Sequence, residues 1–230
     1  MILIFDLDDT LYPEHLFVES GLRAVARHGA AHYGLDAGAA YAMMLETLKA
    51  EGRGHVFDRW LAAHNLLTKR RITECVKVYR HHRPDISLPP AHRRMLHRLQ
   101  DRYPLYLVTD GHKIAQQRKV EALEIAPHFQ RVFITHRFGL HNAKPALHCF
   151  EKIKQAEARD WGDLLYLGDN PAKDFVSLNS VGAITVRVHT GMHADAPAKL
   201  LPQMLLIHCT ANFLSALSSL HKSVCRIISL

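Results

Sequence analysis

Residues 2–10 read Ile2-Leu3-Ile4-Phe5-Asp6-Leu7-Asp8-Asp9-Thr10. Four apolar residues come first, and an acidic cluster that ends in a threonine follows them directly. A short, fully apolar run of this kind predicts a buried β-strand. Asp6 and Asp8 stand two residues apart, so in an extended segment both carboxylates point the same way. The chain therefore opens with a core strand that delivers paired negative charges to one edge of a sheet.

Further short apolar runs alternate with helical patterns after Tyr103. They predict strands at residues 105–108, 132–134, 164–167 and 183–186, and a sixth at 205–207. Helices are predicted from the second strand through Val120, over 145–156, after Pro171, and over 213–220. Fully apolar strands that alternate with helices are typical of a parallel sheet covered on both faces. We therefore predict an α/β fold with a Rossmann-like three-layer core.

The stretch between the first two strands is helical in pattern. Apolar residues recur at helical spacing around Phe17, Tyr41, Trp60 and Val76, with glycines and prolines between these groups. No strand pattern is convincing here. We predict an all-helical domain over residues 13–99, inserted into a core domain made of residues 1–12 and 100–230.

Composition is that of an ordinary globular protein. The 230 residues are 48% hydrophobic, and 29 Lys and Arg against 22 Asp and Glu give a net charge of +7. These values exclude a largely disordered chain, and 4 cysteines without a CxxC pair argue against a disulfide scaffold or a zinc site. No stretch approaches the roughly 18 apolar residues of a membrane span, and no signal peptide pattern precedes the first strand. We expect a cytoplasmic protein that does not bind membranes.

The carboxyl ends of the predicted strands carry the residues with chemistry, and ligands of open α/β sheets bind at this edge. Asp6 and Asp8 follow the first strand, and Thr109, Asp110 and Gly111 follow the second. Lys144 and Pro145 come after the third, and Asp169 follows the fourth, with Asp174 five residues later.

These residue types indicate phosphate chemistry. Carboxylate oxygens with open positions suit Mg²⁺, which keeps waters and binds phosphate. Lys144, the Thr109 hydroxyl and backbone N–H groups near Asp110 and Gly111 suit phosphate oxygens. A carboxylate nucleophile beside a metal ion is an arrangement for phosphoryl transfer.

Four segments in this order resemble the motifs of the haloacid dehalogenase-like (HAD) superfamily. They are Phe5-Asp6-Leu7-Asp8-Asp9-Thr10-Leu11, Val108-Thr109-Asp110-Gly111, Lys144-Pro145 and Gly168-Asp169-Asn170-Pro171-Ala172-Lys173-Asp174. The resemblance covers residues 1 to about 190, and the helical insertion is similar to the family's helical cap.

The resemblance implies a role for each matching residue. Asp6 would be the nucleophile, and Asp8 the general acid and then the base. Thr109 and Lys144 would bind phosphoryl oxygens. Asp6, the backbone carbonyl of Asp8 and Asp169 would bind Mg²⁺. Asp174 would hold a metal-bound water or orient Lys144.

Asp8 favours a phosphatase over a dehalogenase. An alkoxide that leaves a phosphate ester needs a proton, whereas a halide does not. We expect hydrolysis of a small phosphomonoester, a nucleoside monophosphate or a sugar phosphate, through an aspartyl-phosphate. A phosphomutase, a 2-haloacid dehalogenase and a non-catalytic binding module that keeps the fold are the alternatives.

The functions of three further features of the sequence stay open. Arginines and histidines cluster over residues 80–102, but no aromatic residues are interleaved, so a solvated helix face is favoured over a nucleic-acid interface. Tyr12 is a candidate for a hinge or a pocket residue. The apolar tail after Pro202 could complete the core or form the contact of a homodimer.

Overall fold

A computed structural model describes residues 1–197 and the backbone of residues 204–207. Six parallel strands form one sheet in the order β3-β2-β1-β4-β5-β6. They are β1 (Ile2–Phe5), β2 (Leu105–Thr109), β3 (Arg131–Ile134), β4 (Leu164–Gly168), β5 (Ile184–Val188) and β6 (Met204–Ile207). The predicted α/β fold with its parallel sheet is confirmed, and strand bounds differ from the prediction by at most two residues.

Both faces of the central strand are buried. Ile2 and Ile4 lie on one face, in a cluster with side chains of α7 (His148–Ala156) and α8 (Val176–Ser180). Leu3 and Phe5 point the other way and are buried as well. Apolar residues at every position of β1 therefore reflect a strand covered on both sides, as expected for the centre of a parallel sheet.

The described residues form two compact units. One contains residues 1–13, 88–113 and, among those described, the residues from Glu124 onward; it holds the sheet with α5 (Pro90–Gln100), α7 and α8. The other contains Glu14–Ser87 and Ile114–Leu123. Its helices are α1 (Glu14–Tyr33), α2 (Ala37–Glu51), α3 (Val56–Ala63), α4 (Lys69–His81) and most of α6 (Lys113–Leu123).

The helical unit has an apolar core of its own. Val25, Met44, Trp60 and Cys75 are completely buried in one cluster. Gly29 of α1 makes room for Trp60, because a Cβ at this position would come within 2.6 Å of the indole ring. The apolar faces read from the sequence therefore pack against one another as helix surfaces.

The units divide the chain differently from the predicted boundaries. The prediction assigned residues 90–99 to the insertion, but α5 belongs to the unit of the sheet. Its Met95, Leu96 and Leu99 are buried, and the His92 ring nitrogen Nδ1 lies 2.6 Å from the carbonyl oxygen of Leu11. Helical periodicity alone does not distinguish a cap helix from a helix of the core, so the extent of a cap domain over residues 13–99 stays a prediction.

Three predictions concern the end of the chain. The sixth strand is present at Met204–Ile207. The predicted helix at 213–220 and the dimer contact of the tail lie outside the described residues.

Within the part of the chain that is described, none of the helices combines the length and hydropathy that a bilayer span requires.

Candidate active site

The site begins where β1 joins its two neighbours. Strand β1 lies between β2 and β4, so the residues that follow these strands meet at one edge of the sheet. The Asp6 N–H donates to the Leu167 carbonyl at 2.8 Å, which extends the ladder one residue beyond β1. Asp6, Thr109 and Asp169 are all buried at this edge. The parallel topology thus brings together residues that are far apart in sequence.

Lys144 is the centre of the polar network. Its Nζ donates to Asp6 Oδ1 at 2.7 Å, to Asp174 Oδ1 at 2.7 Å and to the Tyr166 hydroxyl at 2.9 Å. Burial alone would lower the pKa of Lys144, but the carboxylates of Asp174 and Asp6 outweigh it and hold that pKa well above its usual value. Lys144 is therefore a fixed positive charge directed at Asp6.

Asp174 and Tyr166 hold Lys144 in place. Besides Lys144, Asp174 Oδ1 accepts from the Tyr166 hydroxyl at 3.0 Å, and Asp174 Oδ2 accepts from the Asn170 N–H at 2.9 Å. Gly168 allows this approach, since a Cβ there would overlap the Asp174 carboxylate. Tyr166 is not among the predicted site residues, because a tyrosine within an apolar strand reads as core; the polar hydroxyl in this otherwise apolar run is the sequence signal that could have found it.

Asp8 lies close to Asp6 in sequence but has a different partner. The Tyr12 hydroxyl donates to Asp8 Oδ1 at 2.8 Å, and Asp8 is partly exposed. Tyr12 itself is 2% exposed, so this hydrogen bond originates from a fixed ring. Tyr12, left open between a hinge and a pocket residue, thus contacts the residue expected to act as general acid and base.

Asp110 connects two loops through its side chain. Its Oδ1 accepts from the backbone N–H of Lys144 at 3.0 Å and from the Thr135 hydroxyl. These hydrogen bonds connect the turn after β2 to the backbone of Lys144. Thr109 is fully buried, and Gly111 has a φ of 139°, a conformation that suits glycine. Thr135 had no distinguishing motif in the sequence.

Three carboxylates form a group that could hold a metal ion. Oxygens of Asp6, Asp169 and Asp174 lie within 4.8 Å of one another. The metal ligands predicted from the sequence are Asp6, Asp169 and the backbone carbonyl of Asp8, without Asp174. The two carboxylate oxygens of Asp174 already accept hydrogen bonds from Lys144, Tyr166 and Asn170.

The electrostatics of this group fit a hard divalent cation. Burial raises the pKa of Asp6 to about 7, against the opposing charge of Lys144. Burial, with the charges of Asp6 and Asp174, raises the pKa of Asp169 to about 8. The single positive charge of Lys144 does not balance the three carboxylates of this buried site. Mg²⁺, which prefers oxygen ligands, would offset the remaining negative charge.

Comparison with known proteins places this arrangement in a family. The family model of haloacid dehalogenase-like hydrolases matches residues 1–182. The chain belongs to this family. It is therefore an HAD-like hydrolase, and the matched residues include all four motif segments.

Curated and structural relatives agree with this assignment. A glyceraldehyde 3-phosphate phosphatase from Methanocaldococcus jannaschii is 29% identical over 204 residues, covering 84% of this chain and 86% of the relative. An HAD-like hydrolase from Xanthomonas campestris has a TM-score of 0.63 at 15% identity, with 98% of both chains covered. A magnesium-bound HAD hydrolase from Bacillus subtilis has a TM-score of 0.63 at 16% identity, covering 94% of this chain and 97% of that one. Both solved structures have the same fold as this chain.

The basic stretch of this HAD-like hydrolase is divided between the two units. Residues 80–83 belong to the helical unit, whereas Arg93, Arg94, His97 and Arg98 lie on α5 and line an open cavity of about 520 Å³. Its role as a solvated face or an anion-binding surface stays a prediction.

Proposed function

We propose that the protein is an Mg²⁺-dependent phosphatase that hydrolyses a small phosphomonoester through an aspartyl-phosphate on Asp6. The observation that carries this proposal is the buried Asp6 carboxylate, held by Lys144 at 2.7 Å and grouped with Asp169. A carboxylate fixed by a cation and near a second carboxylate is suited to attack an electrophile whose charge a metal ion offsets.

In the first step an Asp6 oxygen attacks the phosphorus atom. A bond forms between this oxygen and phosphorus as the ester P–O bond breaks. Asp8 donates its proton to the leaving alkoxide and becomes a carboxylate. Lys144 stays charged beside Asp6 and stabilises the negative charge of the transferring group.

In the second step a water molecule releases the phosphate. The Asp8 carboxylate accepts a proton from this water, whose oxygen attacks phosphorus as the Asp6–phosphorus bond breaks. Asp6 returns as a carboxylate and Asp8 returns protonated. The Tyr12 hydrogen bond holds Asp8 Oδ1 in one orientation for both proton transfers.

Asp6 and Asp169, with the Asp8 carbonyl, would hold the metal ion. When bound, Mg²⁺ supplies a positive charge for the phosphoryl oxygens. The raised pKa values of Asp6 and Asp169 and the magnesium in the Bacillus subtilis structure support this choice.

The curated relatives support a proposal for the substrate class. Relatives from Methanocaldococcus jannaschii and Pyrococcus abyssi, each 29% identical, are glyceraldehyde 3-phosphate phosphatases. We propose a small phosphorylated metabolite and place triose and other sugar phosphates first, with nucleoside monophosphates as the alternative. A panel of these esters with Mg²⁺, scored by phosphate release, ranks them.

Asp6→Asn tests the nucleophile. The amide cannot form the acyl-phosphate, so we expect kcat to fall by at least about 10³-fold with the circular dichroism spectrum unchanged. Asp160→Asn is the control, because the Asp160 side chain is 96% exposed. Hydrolysis at the wild-type rate in Asp6→Asn would show that another residue is the nucleophile. Halide release from a 2-haloacid without phosphate release from any ester would favour the dehalogenase alternative.

A further inference from the structure

The segment that follows β5, residues 189–196, contacts the loop of Asp6 and Asp8. The Thr190 hydroxyl donates to the Asp9 carbonyl, and the Met192 N–H donates to Asp9 Oδ2 at 3.2 Å. Gly191 between them lies so close to Asp9 that a Cβ would overlap its carboxylate. Gly191 also has a φ of 63°. Three consecutive residues of this segment therefore enclose Asp9, the residue next to Asp8.

The same segment contacts the loop of Asp169. The His193 ring nitrogen Nε2 lies 3.0 Å from Asn170 Nδ2, and Asn170 directly follows Asp169. Asn170 also donates its backbone N–H to Asp174. One short segment thus reaches the sequence neighbours of both Asp8 and Asp169.

A buried arginine anchors the segment to the sheet. Arg187 of β5 is 2% exposed, and its guanidinium donates to the carbonyls of His193 at 2.8 Å and Ala196 at 2.7 Å. His189 Nδ1 lies 3.0 Å from the Ala194 carbonyl. These bonds fold residues 189–196 back on themselves, so that the segment has a fixed surface to present to Asp9 and Asn170.

Asp9 has a backbone conformation that needs support. Its φ is 52°, in the left-handed region that non-glycine residues rarely adopt. Such a residue persists when its surroundings determine its conformation. The bonds from Thr190 and Met192 use both the carbonyl and the carboxylate of Asp9, which gives the conformation that support.

We propose that residues 189–196 are a positioning segment for the site, with Gly191 and His193 as its key residues. Gly191 sets the Asp6-Leu7-Asp8-Asp9 loop through Asp9, and His193 sets the Asp169 loop through Asn170. The part that concerns turnover rests on the proposed phosphatase function. The part that concerns metal-ligand geometry is tested by cation binding alone.

The first test compares His193 variants in the full-length protein. His193→Ala removes the ring nitrogen near Asn170, and we expect about tenfold weaker binding of Mn²⁺, followed by electron paramagnetic resonance, and about tenfold lower kcat. His193→Gln keeps a hydrogen-bonding group at a similar reach and is expected to restore most of both. Asp195→Ala, which removes an exposed side chain of the same segment, is the control and should match wild type.

The second test is a double-mutant cycle between Gly191 and Asp9. Gly191→Ala forces the Asp9 loop away, and we expect kcat to fall about tenfold or more with KM changed less than threefold. Asp9→Gly removes the overlapping carboxylate and suits the positive φ. The double variant should therefore be more active than Gly191→Ala alone.

The outcomes separate the two proposals. If the wild-type protein cleaves no phosphomonoester, the proposed phosphatase function is contradicted. If the His193→Ala variant still binds Mn²⁺ more weakly than wild type in that case, the positioning segment is supported. An active wild type whose His193→Ala and Gly191→Ala variants match it in kcat and Mn²⁺ affinity overturns the positioning segment. Equal losses in His193→Gln and His193→Ala would also overturn the role of the ring nitrogen.

Discussion

At the scale of single residues, the site depends on how one buried ammonium group is held. Lys144 has three hydrogen-bond partners, and two of them, Asp6 and Asp174, carry negative charge. A buried lysine without such partners would lose its proton. Tyr166 donates to Asp174 and accepts from Lys144, so it fixes the geometry between the two without adding charge.

Tyr166→Phe tests this arrangement. The variant leaves the ring in the core but removes one partner from Lys144 and one from Asp174. We expect kcat to fall about tenfold and the free energy of unfolding to fall by about 1 kcal/mol. The control is Tyr106→Phe, because the Tyr106 hydroxyl donates to Glu157 rather than to the site. Unchanged kcat in Tyr166→Phe with normal stability would remove Tyr166 from the positioning of Lys144.

At the scale of secondary structure elements, the sequence predicted the strands and the residues at their ends. Fully apolar runs flanked by polar residues are unambiguous at strands such as β1 and β4. Tyr12 is a candidate from the sequence, but its pairing with Asp8 and that of Thr135 with Asp110 were not predictable, because such hydrogen bonds depend on how the elements pack. The sequence does not decide the place of α5, because its apolar face of Met95, Leu96 and Leu99 suits a cap or a core equally well.

Helix α1 begins at a partly buried ion cluster that supports a stability prediction. Glu14 accepts from Arg53 and, at 3.2 Å, from Lys119, which is 4% exposed in its side chain. Burial raises the pKa of Glu14, but the hydrogen bond from Arg53 and the charge of Lys119 outweigh it and hold that pKa at about 2. Glu14→Gln leaves Lys119 without this carboxylate, and we expect a loss of about 2 kcal/mol in the free energy of unfolding at pH 7.

The pH dependence of this loss has a definite sign. A carboxyl group whose pKa is lowered on folding stabilises the native state above its unfolded pKa, and this contribution disappears as pH falls. The difference between wild type and Glu14→Gln should therefore shrink between pH 4.5 and pH 2. Glu46→Gln, at an exposed position of α2, is the matched control. A difference that stays constant down to pH 2 would contradict the cluster.

At the scale of the whole molecule, the net charge of +7 does not describe the site. Three carboxylates of the site lie together at one edge of the sheet, and arginines such as Arg94 and Arg98 lie exposed on α5. A count of charges gives their balance but not their position, and the fold supplies the position. The buried site thus has more carboxylates than ammonium groups in a chain that is basic on average.

This distribution predicts how Mg²⁺ stabilises the protein. The raised pKa values of Asp6 and Asp169 mean that the metal-free native state holds more protons than the unfolded chain between about pH 4 and pH 8. The metal-free protein therefore loses stability from these groups as pH rises, whereas bound Mg²⁺ offsets their charge. We expect the rise in Tm on adding Mg²⁺ to increase between pH 5.5 and pH 8, with Kd about tenfold or more lower at pH 8 than at pH 6.

Thermal unfolding in EDTA and in excess Mg²⁺ across this range measures the effect. Titrating histidines change Tm equally in EDTA and in Mg²⁺, so their effect cancels in the Tm difference between the two series. The pH dependence should be weaker in Asp6→Asn, which has one titrating carboxylate fewer. A Tm difference that does not change with pH would contradict the metal-ligand role of Asp6 and Asp169.

Asp6 is proposed to become phosphorylated, and a crystal structure with a phosphoryl mimic can locate the nucleophile. Beryllofluoride mimics a phosphoryl group on a carboxylate, so a crystal structure of the protein with beryllofluoride and Mg²⁺ locates the nucleophile. The account predicts beryllium bonded to an Asp6 oxygen, fluorine atoms near Lys144 Nζ and the Thr109 hydroxyl, and Mg²⁺ bound to Asp6 and Asp169. Beryllium bonded to Asp8, Asp169 or any other residue, with Asp6 free, would contradict it.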